Sequence, residues 1–178
     1  ETADLEGFLF PDTYFISPAA DTNDVISILH NAYEANVAPL REAINSSGMT
    51  EHDVITLASI LEKEAAGAAD RATIAGILKN RIKTGMRLQV DAPFLYEYNI
   101  GQSQLTPEII RTDSPYNTYT RSGLTPGPIG SPGLASIKAV LYPAKSNYLF
   151  YLHDDNGSVH YATTFAQHKS NIRRYLIN

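Results

Sequence analysis

The run Leu57-Ala58-Ser59-Ile60-Leu61-Glu62-Lys63-Glu64-Ala65 is an apolar helical segment with an acid where the pattern asks for a hydrophobe. At 100° per residue with Leu57 as origin, Val54, Leu61, Ala65 and Ala58 fall between about 40° and about 100°, and Ile60 at about 300°. Glu64 falls inside that stripe at about 340°, whereas Glu62 at about 140° and Lys63 at about 240° lie outside it. A carboxyl drawn into an apolar wall stays protonated to higher pH, which suits a general acid working near neutrality. A buried ion pair with an arginine explains the same placement, so the spacing alone leaves both readings open. A second acid, Glu6, sits among apolar residues near the start of the chain, where a solvated strand end is the simpler explanation.

The elements that must position Glu64 follow from caps and periodicity. Thr50 with Asp53 reads as a capping box, opening a helix that runs to about residue 66 and carries Glu64. Upstream, Thr22 or Asn23 caps a helix over 24–46, with Val25, Ile28, Leu29, Tyr33, Val37, Leu40 and Ile44 at helical spacing. Downstream, Asp70 caps a helix over 71–84 whose apolar face, Ile74, Ile77 and Ile82, also bears Arg81. An arginine there needs an anionic partner; a structural ion pair with an acid such as Asp91 is the expected role, and substrate contact the alternative.

Leu88 and Val90 then alternate with Gln89 and Asp91, as in a short strand with one polar face. Short helices follow at 92–98 and 106–111, the latter opened by Thr106-Pro107-Glu108. Residues 114–133 mix tyrosines with Gly and Pro too dense for regular structure, and read equally as a rigid loop walling a groove for an extended polar polymer or as a long surface loop pinned by Tyr and Ile. A helix from about 131 to 141 stops at Pro143, and segments 148–153 and 158–162 bracket Asn156-Gly157 as a hairpin. A helix over 164–176 closes the chain. The opening residues 5–16 read as strand, turn, strand.

With 178 residues, 43% of them hydrophobic, the chain can build one sizeable core without staples. It has no cysteine, which excludes disulfides and thiolate zinc sites. His153 and His160 lack an obvious third ligand and read as solvated strand residues, so no metal is expected. A net charge of −5 and a pI near 5.5 give no footprint for nucleic acid. No apolar run is long enough to span a membrane, and the chain begins Glu1-Thr2-Ala3 without Met, as expected of a part whose anchoring segment lies upstream.

Several ordered motifs together resemble one family, the YceG-like (MltG-type) endolytic murein transglycosylases. They are Leu5-Glu6-Gly7-Phe8-Leu9-Phe10-Pro11-Asp12-Thr13-Tyr14, Ala58-Ser59-Ile60-Leu61-Glu62-Lys63-Glu64, Asn80-Arg81, Gly85-Met86-Arg87-Leu88-Gln89, Tyr116-Asn117-Thr118-Tyr119, Gly123 to Ile129, Tyr142-Pro143-Ala144-Lys145 and Thr164-Phe165. Val90, Ala92 and Tyr142 depart from the usual pattern and leave the Glu-Lys-Glu motif that carries Glu64 intact.

The resemblance implies an α+β fold: a mainly helical, lysozyme-like core with a small antiparallel sheet formed by the N-terminal segment and the C-terminal hairpin. Residues 1–178 would be a single catalytic domain, lacking the membrane anchor and LysM-like region of the parent proteins. Glu64 would be the catalytic acid/base, and a looser likeness to lysozyme-like lytic transglycosylases adds Gln89, Tyr116 and Asn117 as substrate contacts, with Thr118 and Tyr119 beside them. Glu62, Arg81 and Asp91 would support the site.

The implied activity is non-hydrolytic cleavage of the β-1,4 bond between N-acetylmuramic acid and N-acetylglucosamine, without cofactor, on nascent strands at the outer face of the cytoplasmic membrane. Peptidoglycan strands are the expected partner and peptidoglycan synthases a further one. Two rivals remain at this point: a hydrolytic muramidase with Asp91 or Glu62 as second carboxylate, and a non-catalytic glycan-binding module.

Overall fold

Asp21 and Thr50 each start a helix in the same way, accepting a hydrogen bond from the N–H three residues on while the acid there, Asp24 or Asp53, reaches back. The computed structural model describes residues 4–65 and 67–177, and its elements run α1 (Thr22–Val37), α2 (Arg41–Ser46), α3 (Glu51–Glu64), α4 (Ala68–Lys83), α5 (Ala92–Glu97), α6 (Pro107–Ile110), α7 (Leu134–Leu141), β1 (Phe150–His153), β2 (Val159–Ala162) and α8 (Phe165–Tyr175). The fold is α+β, helical apart from one two-stranded antiparallel sheet among the described residues.

The single helix expected over 24–46 is broken. Pro39, which has no N–H to give, turns residues 38–40 into a 3₁₀ segment between α1 and α2. The cap of α1 is Asp21 rather than Thr22 or Asn23. Nor does Asp70 cap α4, which begins at Ala68 behind Gly67; its carboxylate instead accepts from the Tyr161 hydroxyl at 2.6 Å.

α3 is the axis of the molecule. Val54 to Leu61 are buried without interruption, so over two turns the helix is enclosed on every side. α7 packs against both α3 and α4, and the Ser59 hydroxyl accepts the Ile129 N–H at 3.0 Å, tying the Gly/Pro-rich loop to α3. The helix emerges at its two ends, with His52 exposed in the first turn and, in the last, Lys63 exposed and Glu64 partly buried.

The N-terminal segment does not join the sheet. Gly7, at φ +86°, lies so close to Pro128 and Ile55 that a Cβ would meet them at 2.6 and 2.9 Å. Phe10 is buried and donates its N–H to Leu29 O at 3.1 Å, and His30 bonds Phe8 O. With Phe10 N and Phe8 O bonded to α1 and the Phe8 ring against Tyr33 and His52, residues 5–16 contribute no strand, and the sheet among the described residues is the C-terminal hairpin alone.

That hairpin pairs Phe150 with Ala162 through His153 with Val159. Its turn spans residues 154–158, wider than the Asn156-Gly157 pair alone, because Asp154 Oδ1 accepts the N–H groups of Asn156 and Ser158. Tyr151 and Tyr161 share the face that looks onto the junction of α3 and α4; Phe150 on the other face packs against α8.

Behind the hairpin, residues 143–147 clamp α4. Ala144 donates its N–H to Ala72 O at 2.9 Å, and its carbonyl stands 2.5 Å from where a Cβ on Gly76 would be. Asn80 Nδ2 donates to the carbonyls of Ser146 and Tyr148.

Candidate active site

Glu64 is the last residue of α3 and opens into a cleft of about 820 Å³. The floor and one side carry Glu64, Arg81, Gln89, Asp91 and Tyr119; Tyr96 and Leu95 of α5 form an apolar flank. The facing wall is the hairpin and α8, through Phe150, Tyr151, Phe165 and His168.

Tyr151 donates its hydroxyl to Glu64 Oε2 at 2.6 Å. Burial pushes the Glu64 carboxyl above the ordinary carboxylate range; the Tyr151 hydrogen bond, the Ala92 N–H and Arg81 pull it back, while the Asp91 charge pushes it further up. Glu64 also stands at the carbonyl end of α3, whose dipole disfavours an anion. The Tyr151 phenol is pushed well above its usual value, by burial first and then by Glu64, so it remains a donor.

Asp91 is held as an acceptor on both oxygens, Oδ1 from the Tyr119 hydroxyl at 2.6 Å and Oδ2 from Gln102 Nε2 at 2.8 Å. Arg81 is buried and does not pair with Asp91 as expected. Its Nε donates to Leu149 O at 2.7 Å and Nη1 to Leu88 O, and the guanidinium lies 5.4 Å from the Phe150 ring centre. One side chain thus ties the start of the hairpin to the segment that leads into Gln89 and Asp91.

Residues 88–90 are not a strand. Leu88 and Val90 are buried and Gln89 is exposed, as alternation requires, but Gln89 sits at φ +50° and the backbone bonds residue 118 instead of a ladder. Thr118 Oγ1 accepts from Val90 N and donates to Val90 O, while Gln89 N donates to Thr118 O.

The model of the YceG-like family matches residues 1–174. The chain belongs to the YceG-like family. It is 36% identical over 173 residues to the endolytic murein transglycosylase of Bacillus subtilis, a match covering 97% of this chain and 48% of that protein. To the endolytic murein transglycosylase of Streptococcus pneumoniae D39 it is 35% identical, covering 97% of this chain and 32% of the other. The crystal structure of a yceG-like protein from Listeria monocytogenes superposes with a TM-score of 0.88 at 39% identity, over 93% of this chain and 55% of that one. The chain therefore spans about half, or less, of the length of the relatives it matches.

Within this YceG-like chain the residues expected at the site separate into two groups. Glu64, Arg81, Gln89, Asp91 and Tyr119 line the cleft together. Tyr116 lies behind it, its ring 5.7 Å from that of Tyr96. Asn117 and Thr118 are buried and fully engaged, so neither presents a polar group to a ligand. Asn117 Nδ2 donates to Ile110 O and Thr112 O, and its Oδ1 accepts from Tyr119 N and Thr120 N. Glu62 is turned away and accepts the Gly133 N–H at 3.3 Å, at the start of α7.

Asn117→Ala removes four hydrogen bonds from a part-buried loop, taking their side-chain partner from Ile110 O, Thr112 O and Tyr119 N, while Thr120 N keeps Asn117 O. It is expected to destabilise the fold by about 2–4 kcal/mol in denaturant unfolding. A variant with unchanged stability and impaired turnover would return Asn117 to the ligand.

The loop over 114–133 supplies only Tyr119 and Ile129 to the cleft. The opposing wall, with Tyr151, Phe165 and His168, was not singled out from the sequence. Its signal was present in the hairpin: Tyr151 and Tyr161 stand on one face of a strand pair, each with a polar tip to place. His153 and His160, adjacent in register but on opposite faces, do not converge. His160 is not solvated but partly buried; it pairs with Asp154 at 2.8 Å and stacks on Tyr175, and no metal-holding group of three ligands occurs among the described residues.

Proposed function

We propose that this chain is the catalytic part of an endolytic murein transglycosylase, with Glu64 as its single acid/base. The observation that carries the reading is the inequality of the two carboxylates in the cleft. Glu64 is partly buried and its pKa is raised by desolvation, whereas each oxygen of Asp91 accepts a hydrogen bond, from Tyr119 and from Gln102. A hydrolase needs a second carboxylate to activate water or attack the sugar; Glu62 is bonded to Gly133 N at the start of α7, and Asp91, which keeps lone pairs beyond its two hydrogen bonds, is the carboxylate that product analysis must exclude. The names of the Bacillus and Streptococcus relatives support the same reading.

In this mechanism Glu64 gives its proton to the glycosidic oxygen as the C1–O bond of the muramyl unit breaks. The 6-hydroxyl of that unit then closes on C1, and its proton passes to the Glu64 carboxylate. The acid is regenerated, no water is consumed, and the new end is 1,6-anhydro-muramyl. Phe165, more than half exposed on one wall, and Tyr96 on the other offer apolar faces on which sugar rings stack.

The substrate is peptidoglycan, cut beside the synthases that make it, outside the cytoplasmic membrane. No helix among the described residues is long and apolar enough to cross that membrane. Mass spectrometry of digested sacculi tests the reaction: anhydro-muramyl ends are expected, and reducing muramyl ends carrying the oxygen of solvent water would overturn it.

A further inference from the structure

Glu64 has two oxygens, and the mechanism above does not say which one handles the proton. The geometry points to Tyr151 as a positioning residue that reserves Glu64 Oε2 and confines both proton transfers to Oε1. This inference rests on Glu64 being the acid/base.

Tyr151 sits on β1, 87 residues along the chain from Glu64, and its hydroxyl donates to Oε2 at 2.6 Å. An oxygen that accepts a phenol proton at that distance is a poor place for the carboxyl's own proton, because two hydrogens would then face each other. The acidic proton is thereby placed on Oε1; among the described residues Tyr151 is the side chain that donates to this carboxyl, and the Ala92 N–H is the backbone donor that faces it. When Oε1 gives up that proton, the Tyr151 hydrogen bond becomes charge-assisted and stabilises the new carboxylate as it forms. Oε2 stays covered throughout, so the 6-hydroxyl proton of the second step must also arrive at Oε1.

The hold is fixed at both ends. Arg81 donates to Leu149 O, immediately before β1, and Tyr151 pairs in register with Tyr161, whose own hydroxyl is anchored on Asp70 near the start of α4. The other groups that face Glu64 are Asp91, Arg81, Tyr119 and the Ala92 N–H. None of them replaces a hydroxyl on Oε2.

Tyr151→Phe keeps the ring and removes the donor. We expect kcat to fall by about 10- to 100-fold, the loss of one hydrogen bond to a charged group, with KM close to the parent's. Tyr151 favours the ionised form of Glu64, so its removal raises the Glu64 pKa. The alkaline limb of the pH–rate profile therefore moves to higher pH, and the carboxyl carbon of Glu64, followed by NMR titration with activity playing no part, shifts in the same direction. A purely structural tyrosine would lower the melting temperature and leave both titrations in place.

Parent kcat and an unmoved Glu64 titration in Tyr151→Phe, beside an inactive Glu64→Gln, would overturn the role of Tyr151 alone. An active Glu64→Gln would remove the reading on which it rests.

Discussion

Glu64→Gln is expected to fold as the parent does and to lose turnover by about 10²- to 10⁴-fold, the usual contribution of a positioned general acid. Glutamine keeps the volume and keeps an oxygen for the Tyr151 hydroxyl, so the hydrogen bond that fixes the end of α3 persists. What disappears is the transferable proton. Glycan binding should survive, which a pull-down on sacculi reads separately from product formation. Glu62→Gln is the control: its carboxylate touches Gly133 N outside the cleft, and its loss should leave turnover near the parent's. If the two variants behave the other way round, the wrong acid has been chosen.

The second large effect is on the frame rather than on the chemistry. Arg81→Ala leaves the carbonyls of Leu88 and Leu149 without their donor and empties the space against Phe150. Each buried carbonyl left unpaired costs about 1–3 kcal/mol, so a destabilisation of about 3–5 kcal/mol is expected. For a chain of this length that lowers the melting temperature by roughly 6–20 °C, measurable by calorimetry. Lysine should recover only part of it, because a flexible ammonium lacks the planar fork that holds both carbonyls in fixed directions. An Arg81→Ala protein that melts with the parent yet cuts poorly would place Arg81 on the substrate.

The inward placement of Glu64 was legible in the sequence because its position falls on the apolar stripe of α3. Even so, the stripe understated the burial of α3: residues 54–61 are enclosed all round, and what frees Glu64 is that the helix ends there. The helix starts at Thr50, read from its capping box with Asp53, and at Thr106, read from Pro107 at the first helical position, lie where they were expected. The start of α4 was missed because Gly67 caps it without a side chain.

Contacts to main-chain atoms were the other blind spot. An arginine on an apolar face was read as seeking an acid, but Arg81 satisfies itself on carbonyls, which every residue has and no pattern marks. The Asn117 amide was read as a sugar ligand for the same reason, when its four hydrogen bonds all go to nearby backbone. The Tyr151–Glu64 contact joins residues too far apart in sequence for any local periodicity to relate them.

The clamp on α4 has a bearing on how this cleft can change over evolutionary time. Gly76 faces away from Glu64, yet the Ala144 carbonyl occupies the place of its missing side chain. Any larger residue there must push residues 143–147 outward, and with them the Ser146 and Tyr148 carbonyls held by Asn80 and the Leu149 carbonyl held by Arg81. The strand carrying Tyr151 begins one residue later. The back of α4 thus works as a datum surface from which the far wall is measured, and a larger residue at Gly76 would shift Tyr151 against Glu64.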